Sequence, residues 1–179
     1  MVDPADSSPR RTEYAVDDDE WIREFLADHP AGVLGTVDEG QPFLTPFVFA
    51  YDEERHALYV HLSPEGRTAA NVTDAPDVAF SVFEMGRIVP GADAGSFVNE
   101  YASVTVFGRA ELVGDLDEKR RSLELLMAKY APHLEPGADY DAAMAEKVAE
   151  TGVIRIEVDA WSGKRIERPD ADGYRFEDV

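Results

Sequence analysis

Apolar and polar positions along this chain follow first one period and then another, and the change between them marks out the elements. Trp21, Ile22, Phe25 and Leu26 recur at helical spacing behind Asp17, Asp18 and Asp19, which can cap a helix; Asp28, His29, Pro30 and Gly32 close it. A period of two then takes over. Residues 33–37 are strand-like, Asp38, Glu39 and Gly40 make a turn, and residues 43–51 form a second strand with apolar side chains on both faces. After a turn at 52–55, residues 57–62 set Leu58, Val60 and Leu62 against Tyr59, His61 and Ser63. A short helix fits 65–73, closed before Pro76, and another strand fits 78–83.

The stretch 85–99, rich in glycine and small residues, reads as a mobile loop. Residues 101–113 form a long strand with Val104, Val106, Ala110 and Leu112 facing one way and Thr105, Arg109 and Glu111 the other. Asp115 with Glu118 resembles a capping box for a helix whose Leu123, Leu126, Met127 and Tyr130 share a stripe, and Pro132 stops it. A helical patch spans 140–149, and the last strand, 153–158, turns Ile154, Ile156 and Val158 inward. About six strands, hairpin-connected at first and with helices between the later ones, imply a mainly β fold with flanking helices, a small antiparallel barrel. A flexible polar arm over 1–16, a folded domain over 17–168 and a tail over 169–179 complete the expected organisation.

Composition changes the picture in one respect. The 179 residues hold 17 basic and 37 acidic side chains, a formal net charge of −20. A nucleic-acid binder needs the opposite sign of surface, so no nucleic-acid partner is expected. The acids are spread along the chain and only four of the basic residues are lysine, a habit of halophilic proteins, in which concentrated salt screens the self-repulsion of a highly charged surface. With no cysteine, disulfides and thiolate metal sites are excluded. No apolar run approaches the roughly 18 residues needed to cross a bilayer, and the N-terminus lacks a secretory apolar core, so a cytoplasmic protein with no membrane partner is expected.

No P-loop, G-x-G-x-x-G, H-E-x-x-H or G-x-S-x-G occurs, and His29, His56, His61 and His133 are scattered, which leaves no metal site. Asn71, Val72 and Thr73 form a chance glycosylation sequon in a chain of this location. Three segments carry candidate chemistry. In "QPFLTPFVFAY", Pro46 removes a ladder donor and opens the pairing locally, leaving backbone groups for the polar edge of a flat ligand; the plainer reading is an edge strand. In "LYVHLSPEGRTAANV", a strand-to-helix turn gathers Ser63, Gly66, Arg67 and Thr68, whose helix-start N–H groups, hydroxyls and guanidinium can all donate to one phosphate; the plainer reading is a capped turn with Arg67 in a surface ion pair. In "NEYASVTVFGRAELVGDLDEKRRSLELLMAKYAPH", Tyr101 and Ser103 are the plausible ligand contacts.

In this order and spacing, "GVLGTVDEGQPFLTPFVFAYD", "LYVHLSPEGRTAANV" and "YASVTVFGRAELVGDLDEKRRSLELLMAKYAP" resemble the pyridoxamine 5′-phosphate oxidase-like split-barrel flavoproteins, and among them the branch related to nitroimidazole-resistance proteins. The resemblance covers about residues 21–164. It implies a six-stranded antiparallel split β-barrel, the FMN-binding split barrel, forming a homodimer with FMN at the subunit interface. It further implies that Thr45, Pro46, Phe47, Val48 and Phe49 run along the isoalloxazine, while His61, Ser63, Gly66 and Arg67 hold the ribityl chain and 5′-phosphate. Thr68 stands where many members carry a second basic residue, and its hydroxyl can still donate to phosphate. Tyr101 and Ser103 are implied contacts from the other subunit, with Trp161 and Lys164 as further candidates.

No side chain stands out as a catalytic acid or base; in such proteins the flavin carries the redox chemistry and the protein positions it. The reading is an FMN-dependent oxidoreductase that passes electrons to a small oxidised acceptor, nitroaromatic or quinone-like. The alternative is a non-catalytic flavin- or haem-binding protein for sensing, storage or scavenging, with His61 as the haem ligand. Pyridoxamine-phosphate oxidase activity is not expected, because the basic residues that would grip a second phosphate are not evident along the chain.

Overall fold

In the computed structural model, which describes residues 9–141 and 144–179, the first helix, α1 (Asp19–Asp28), is capped by Asp18, whose carboxylate accepts from the N–H groups of Glu20 and Trp21 at 3.0 and 3.2 Å. Its apolar stripe, Ile22, Phe25 and Leu26, is buried. Strands β2 (Gly32–Asp38) and β3 (Gln41–Phe47) follow as a hairpin in unbroken register. Glu39 and Gly40 both take positive φ, 48° and 84°, the two left-handed residues of a tight turn whose twist matches that of the strands.

The expected single strand over 43–51 is two strands. The chain leaves β3 at Phe47 and re-enters the sheet as β4 (Phe49–Asp52), paired with β5 (Ala57–Leu62). Helix α2 (Arg67–Asp74) leads to β6 (Asp77–Val89) and β7 (Val98–Leu112), and helices α3 (Leu116–Tyr130) and α4 (Ala145–Glu150) precede β8 (Gly152–Ile166). The sheet order is β3-β2-β6-β7-β8-β5-β4, antiparallel throughout. Its two outermost strands are joined by Val48 alone, so the sheet must curl until its ends meet, which makes a split barrel with its seam at Val48. Tyr130 of α3 closes the seam. Its hydroxyl accepts the Phe49 N–H at 3.0 Å and shares its proton between the carbonyls of Phe49 (2.8 Å) and Pro30 (2.7 Å). Inside lies one apolar cluster that includes Leu26, Leu34, Phe49, Phe80, Val104 and Ile154.

Eight strands occur among the described residues, against the six expected. Splitting 43–51 adds one, and β1 (Ala15–Val16), which pairs with Gly163 and Lys164 of β8, adds another. The arm is therefore tied to the sheet from Thr12 onward, through a 3-10 turn and β1; residues 1–8 lie outside the described residues. The tail is tied as well, by the paired backbone bonds of Tyr174 with Ile88 at 2.7 and 3.0 Å. The helix expected over 140–149 is the shorter α4, with residues 142–143 outside the described ones.

The loop expected over 85–99 is mostly hairpin: β6 runs to Val89, β7 starts at Val98, and only residues 90–97 connect them. A buried carboxylate holds it. Glu100 accepts from Arg87 Nε and Nη2 at 2.8 and 2.7 Å and from the Arg168 N–H at 2.6 Å, and these donors, the Arg87 guanidinium first, pull its pKa down to about 2. Leu112, expected inward, is exposed at the end of β7, and Val113 is buried in its stead, its N–H bonded to the Val153 carbonyl at 2.9 Å. Among the described residues no helix is long and apolar enough to cross a membrane.

Candidate functional site

The strand-to-helix turn is built as its residue types suggest. The Ser63 carbonyl accepts the Gly66 N–H at 3.1 Å, and Gly66 then caps α2 without offering a side-chain acceptor, so the first-turn amides of α2 keep their donor capacity. Thr68 and Asn71 point into the fold. Thr68 Oγ1 lies 3.0 Å from Thr45 Oγ1, and Asn71 donates to Thr36 Oγ1 at 2.9 Å, which docks α2 on the inner face of the β2–β3 hairpin. Asn71 is buried, so its sequon is a packing contact. Arg67 stays half-exposed at the mouth of this arrangement, with Nη2 3.2 Å from Asp38 and the guanidinium stacked 4.5 Å from the Phe43 ring centre. Asp38 and Phe43 are the parts of this corner that the sequence motif did not single out.

Pro46 does not open the ladder. It faces Val33 in the unbroken register of β2 with β3, and the pairing changes only at Val48. Pro42 and Pro46 share strand parity on an edge strand, so both imide nitrogens turn away from β2 toward the free edge, the position where a missing donor costs nothing. The same edge presents the Leu44 N–H with the carbonyls of Pro42, Leu44 and Pro46, and Gln41 Nε2 already reaches the Pro42 carbonyl from outside the ladder at 3.2 Å. Of the neighbours, Phe47 packs against the core, Phe49 is fully buried and Val48 is 54% exposed.

Tyr101 and Ser103 stand elsewhere, on the outer face of β7, opposite Ile166 and Lys164 of β8 and Met85 and Phe83 of β6. Lys164 Nζ sits 5.1 Å from the Tyr101 ring centre. Among the described residues no hydrogen bond or ion pair joins this group to the Arg67 corner. His61 belongs to neither. The alternation of β5 turns it out of the barrel beneath α3, where Nε2 lies 3.1 Å from Ser122 Oγ, and burial pushes its pKa down. Ser122 gives its own proton to the Lys119 carbonyl at 2.7 Å, so it accepts from His61, and the imidazole is tied to α3 through Nε2. Trp161 packs against the core and donates to Asp19 at 2.8 Å.

Other titratable clusters are structural. Glu118 takes bonds from Tyr59 (2.7 Å), Arg55 (3.0 Å) and Arg155 (3.1 Å), and burial pushes the Tyr59 hydroxyl up to about 12. Among the described residues no group of histidines and carboxylates could hold a metal ion.

These features define an antiparallel split barrel with a strand-to-helix turn packed against its edge strand. The family model described as Pyridoxamine 5′-phosphate oxidase matches residues 18–165, so the chain belongs to that family. No curated protein matches it in sequence. The solved structures similar to it include three of note. The flavocytochrome Anf3 from Azotobacter vinelandii shares 25% identity at a TM-score of 0.79, over 98% of this chain and 79% of that one. A candidate 5-nitroimidazole antibiotic resistance protein from Bacteroides thetaiotaomicron shares 24% identity at 0.70, over 84% and 86%. The FAD and heme binding protein from Mycobacterium smegmatis shares 23% identity at 0.77, over 87% and 74%.

Proposed function

We propose that the protein binds a flavin, FMN, between two copies of the chain and works in the cytoplasm as an oxidoreductase on a small oxidised acceptor, nitroaromatic or quinone-like. The observation that carries this is the α2 start: amides without a side-chain cap and the Arg67 guanidinium sit against the edge strand β3, through Phe43 and Thr45. The donor set fits the group. A phosphate monoester matches the α2 amides and Arg67, and the mixed donors and acceptors of the β3 edge match the polar rim of an isoalloxazine. Family membership, the FAD named for the M. smegmatis protein and the flavocytochrome from A. vinelandii support a flavin as the cofactor.

When bound, the flavin supplies the electron-transfer chemistry. The chain's own residues do the positioning. Arg67 and the α2 amides would hold the phosphate end, and the β3 edge, with exposed Val48 beside it, would face the ring. A visible spectrum of the purified protein in molar KCl tests this. Flavin bands that bleach on reduction and return on adding a nitroaromatic are expected, whereas an apoprotein that takes up neither FMN nor FAD would end the reading.

The outer sheet face supports the second copy. From Ala79 to Met85 of β6, Tyr101 to Phe107 of β7 and Ala160 to Ile166 of β8, outward positions hold no acid, in a chain of net charge −20. The same face carries Leu44 and Phe83, 68% and 70% exposed. An acid-free face with exposed Leu44 and Phe83 on so acidic a chain supports a contact between two copies there. Light scattering in molar KCl should show a dimer, and Phe83→Glu a monomer; a parent chain that stays monomeric at micromolar concentration would refute it. The halophilic reading predicts a melting temperature that rises from about 0.1 M to about 1 M KCl, as the Debye length falls from about 10 to about 3 Å. A flat or falling trend would reject it.

A further inference from the structure

Lys129 is one of only four lysines in the chain, and its surroundings set it apart from the other three. From the last turn of α3 its half-buried side chain reaches the barrel seam. There Nζ lies 3.8 Å from the Phe49 ring centre and 5.5 Å from that of Tyr130, and it donates to the Leu26 carbonyl of α1 at 2.9 Å. Among the described residues the only lysine ion pair is that of Lys147 with Glu150, at 3.6 Å. Asp28 of α1 acts on Lys129 from beyond ion-pair distance. In a chain with 37 acids, the seam thus holds this amine by two rings and one carbonyl.

Such a setting favours the neutral amine. Rings and backbone take water from the ammonium without supplying a counter-charge, and burial lowers its pKa from 10.5 to about 8. A neutral amine is a nucleophile: one of its protons serves the Leu26 carbonyl and the lone pair stays uncommitted. The other lysines keep different company. Lys119 donates to the Ala149 and Thr151 carbonyls at 2.9 and 2.8 Å, and Lys147 faces its carboxylate. Lys164 stands over Tyr101 on the sheet face of the contact between two copies.

We propose that Lys129 is an acyl-acceptor site, modified at Nζ by a small activated acyl group, the acetyl of an acyl phosphate or of a thioester, with the product retained in the seam. In the step, Nζ attacks the acyl carbon and a C–N bond forms. The bond from that carbon to the phosphate oxygen or the thiol sulfur breaks, the leaving group takes the electron pair, and the surplus proton of the amine passes to water. No oxidation or reduction occurs. The resulting amide keeps one N–H, which suffices for the Leu26 carbonyl, and it carries no charge for the Phe49 ring and the core to exclude. Acylation therefore replaces a costly buried charge at the seam with a neutral group that still ties α3 to α1. It needs no flavin.

The full chain in molar KCl, treated with limiting acetyl phosphate or with an acetyl thioester of a small thiol between about pH 6.5 and about pH 10, tests this, with acetylation at each lysine read by peptide mass spectrometry. At a pH of about 7.5, Lys129 is expected to react roughly tenfold or more faster than Lys147, although the Lys147 side chain is 71% exposed. Its rate should level off above a pH of about 8, whereas a solvated lysine keeps gaining rate toward a pH of about 10.4. A Lys129 rate no greater than that of Lys147 overturns the proposal. So does a rate that climbs with pH like that of a solvated lysine, which is also what reaction through the unfolded chain would give. The donor that labels Lys129 faster names the source of the acyl group. Urea denaturation of the chain acetylated at Lys129 supplies a second readout: its midpoint should be the same at pH values of about 7.5 and about 10.5, while that of the parent rises. A rise that persists after acetylation would overturn the placement of the product in the seam.

Discussion

Arg67→Ala should weaken FMN binding roughly tenfold to a hundredfold, about 1.5–3 kcal/mol, the scale of hydrogen bonds to a charged group. Arg67 is the only basic side chain of the "SPEGRT" turn, because Thr68 supplies a hydroxyl where a second cation could stand and that hydroxyl is turned inward to Thr45. Its existing partner, Asp38, does not compete strongly, since an exposed ion pair is worth about 0–1 kcal/mol. Asp38→Asn should therefore leave FMN affinity equal or tighter. Riboflavin, lacking the phosphate, should bind the parent and Arg67→Ala alike. Arg109→Ala serves as the control, for its guanidinium meets only Asp77 in an exposed pair on the outer face. Fluorescence titration of the apoprotein decides, and equal FMN affinity in parent and Arg67→Ala would remove the phosphate assignment together with the role of Ser63.

Much of the frame was legible because it rests on local signals. Asp18 and Asp115 cap their helices through their own side chains, and the inward set Val104, Val106 and Ala110 lies on one uninterrupted parity of β7. Period counting fails where the sheet is irregular. Phe107 pairs with Ala160 but Gly108 with Val158, so Asp159 is an extra residue in β8. Before it the inward residues are Ile154, Ile156 and Val158; beyond it they are Trp161 and Gly163, and a strict alternation therefore ends the strand eight residues early. The hairpin over 85–99 was hidden differently. Gly86, Gly91 and Gly95 dilute the apolar pattern, while the bond that orders it joins Glu100 to Arg87 and to the tail 68 residues further on.

The candidate site divides along the same line. Gly66, Arg67 and Thr68 are neighbours in sequence, so their turn was readable, whereas the side to which His61 points depends on α3 lying over β5. Arg10, Arg11, Lys164 and Arg168 were not legible as neighbours for a simpler reason: they come from the arm, β8 and the tail, and only the pairing of β1 with β8 brings them together.

Phe49→Ala should cost the fold about 3–5 kcal/mol, a large share of the roughly 5–15 kcal/mol that holds a domain together. Phe49 is fully buried at the seam, edge-on to Phe80 with ring centres 4.9 Å apart, and Lys129 Nζ lies 3.8 Å from its ring centre while donating to the Leu26 carbonyl at 2.9 Å. Truncation leaves a cavity that the barrel cannot collapse, since the Phe49 backbone is pinned by Tyr130. Tyr130→Phe, which keeps the ring and removes only the hydroxyl, should cost less, about 1–3 kcal/mol for the unmet backbone groups. Lys129 adds a signature in pH. Burial lowers its pKa from 10.5 to about 8, so between those values the unfolded chain binds more protons than the folded one and the parent should gain stability as pH rises from about 8 to about 10.5. In Phe49→Ala, water reaching the ammonium should restore its pKa and flatten that rise. Urea denaturation of the parent and both variants at pH 7.5 and 10.5 checks the whole account. Equal midpoints for Phe49→Ala and the parent, or a parent that loses stability across that interval through this lysine, would show that the seam is not held as described.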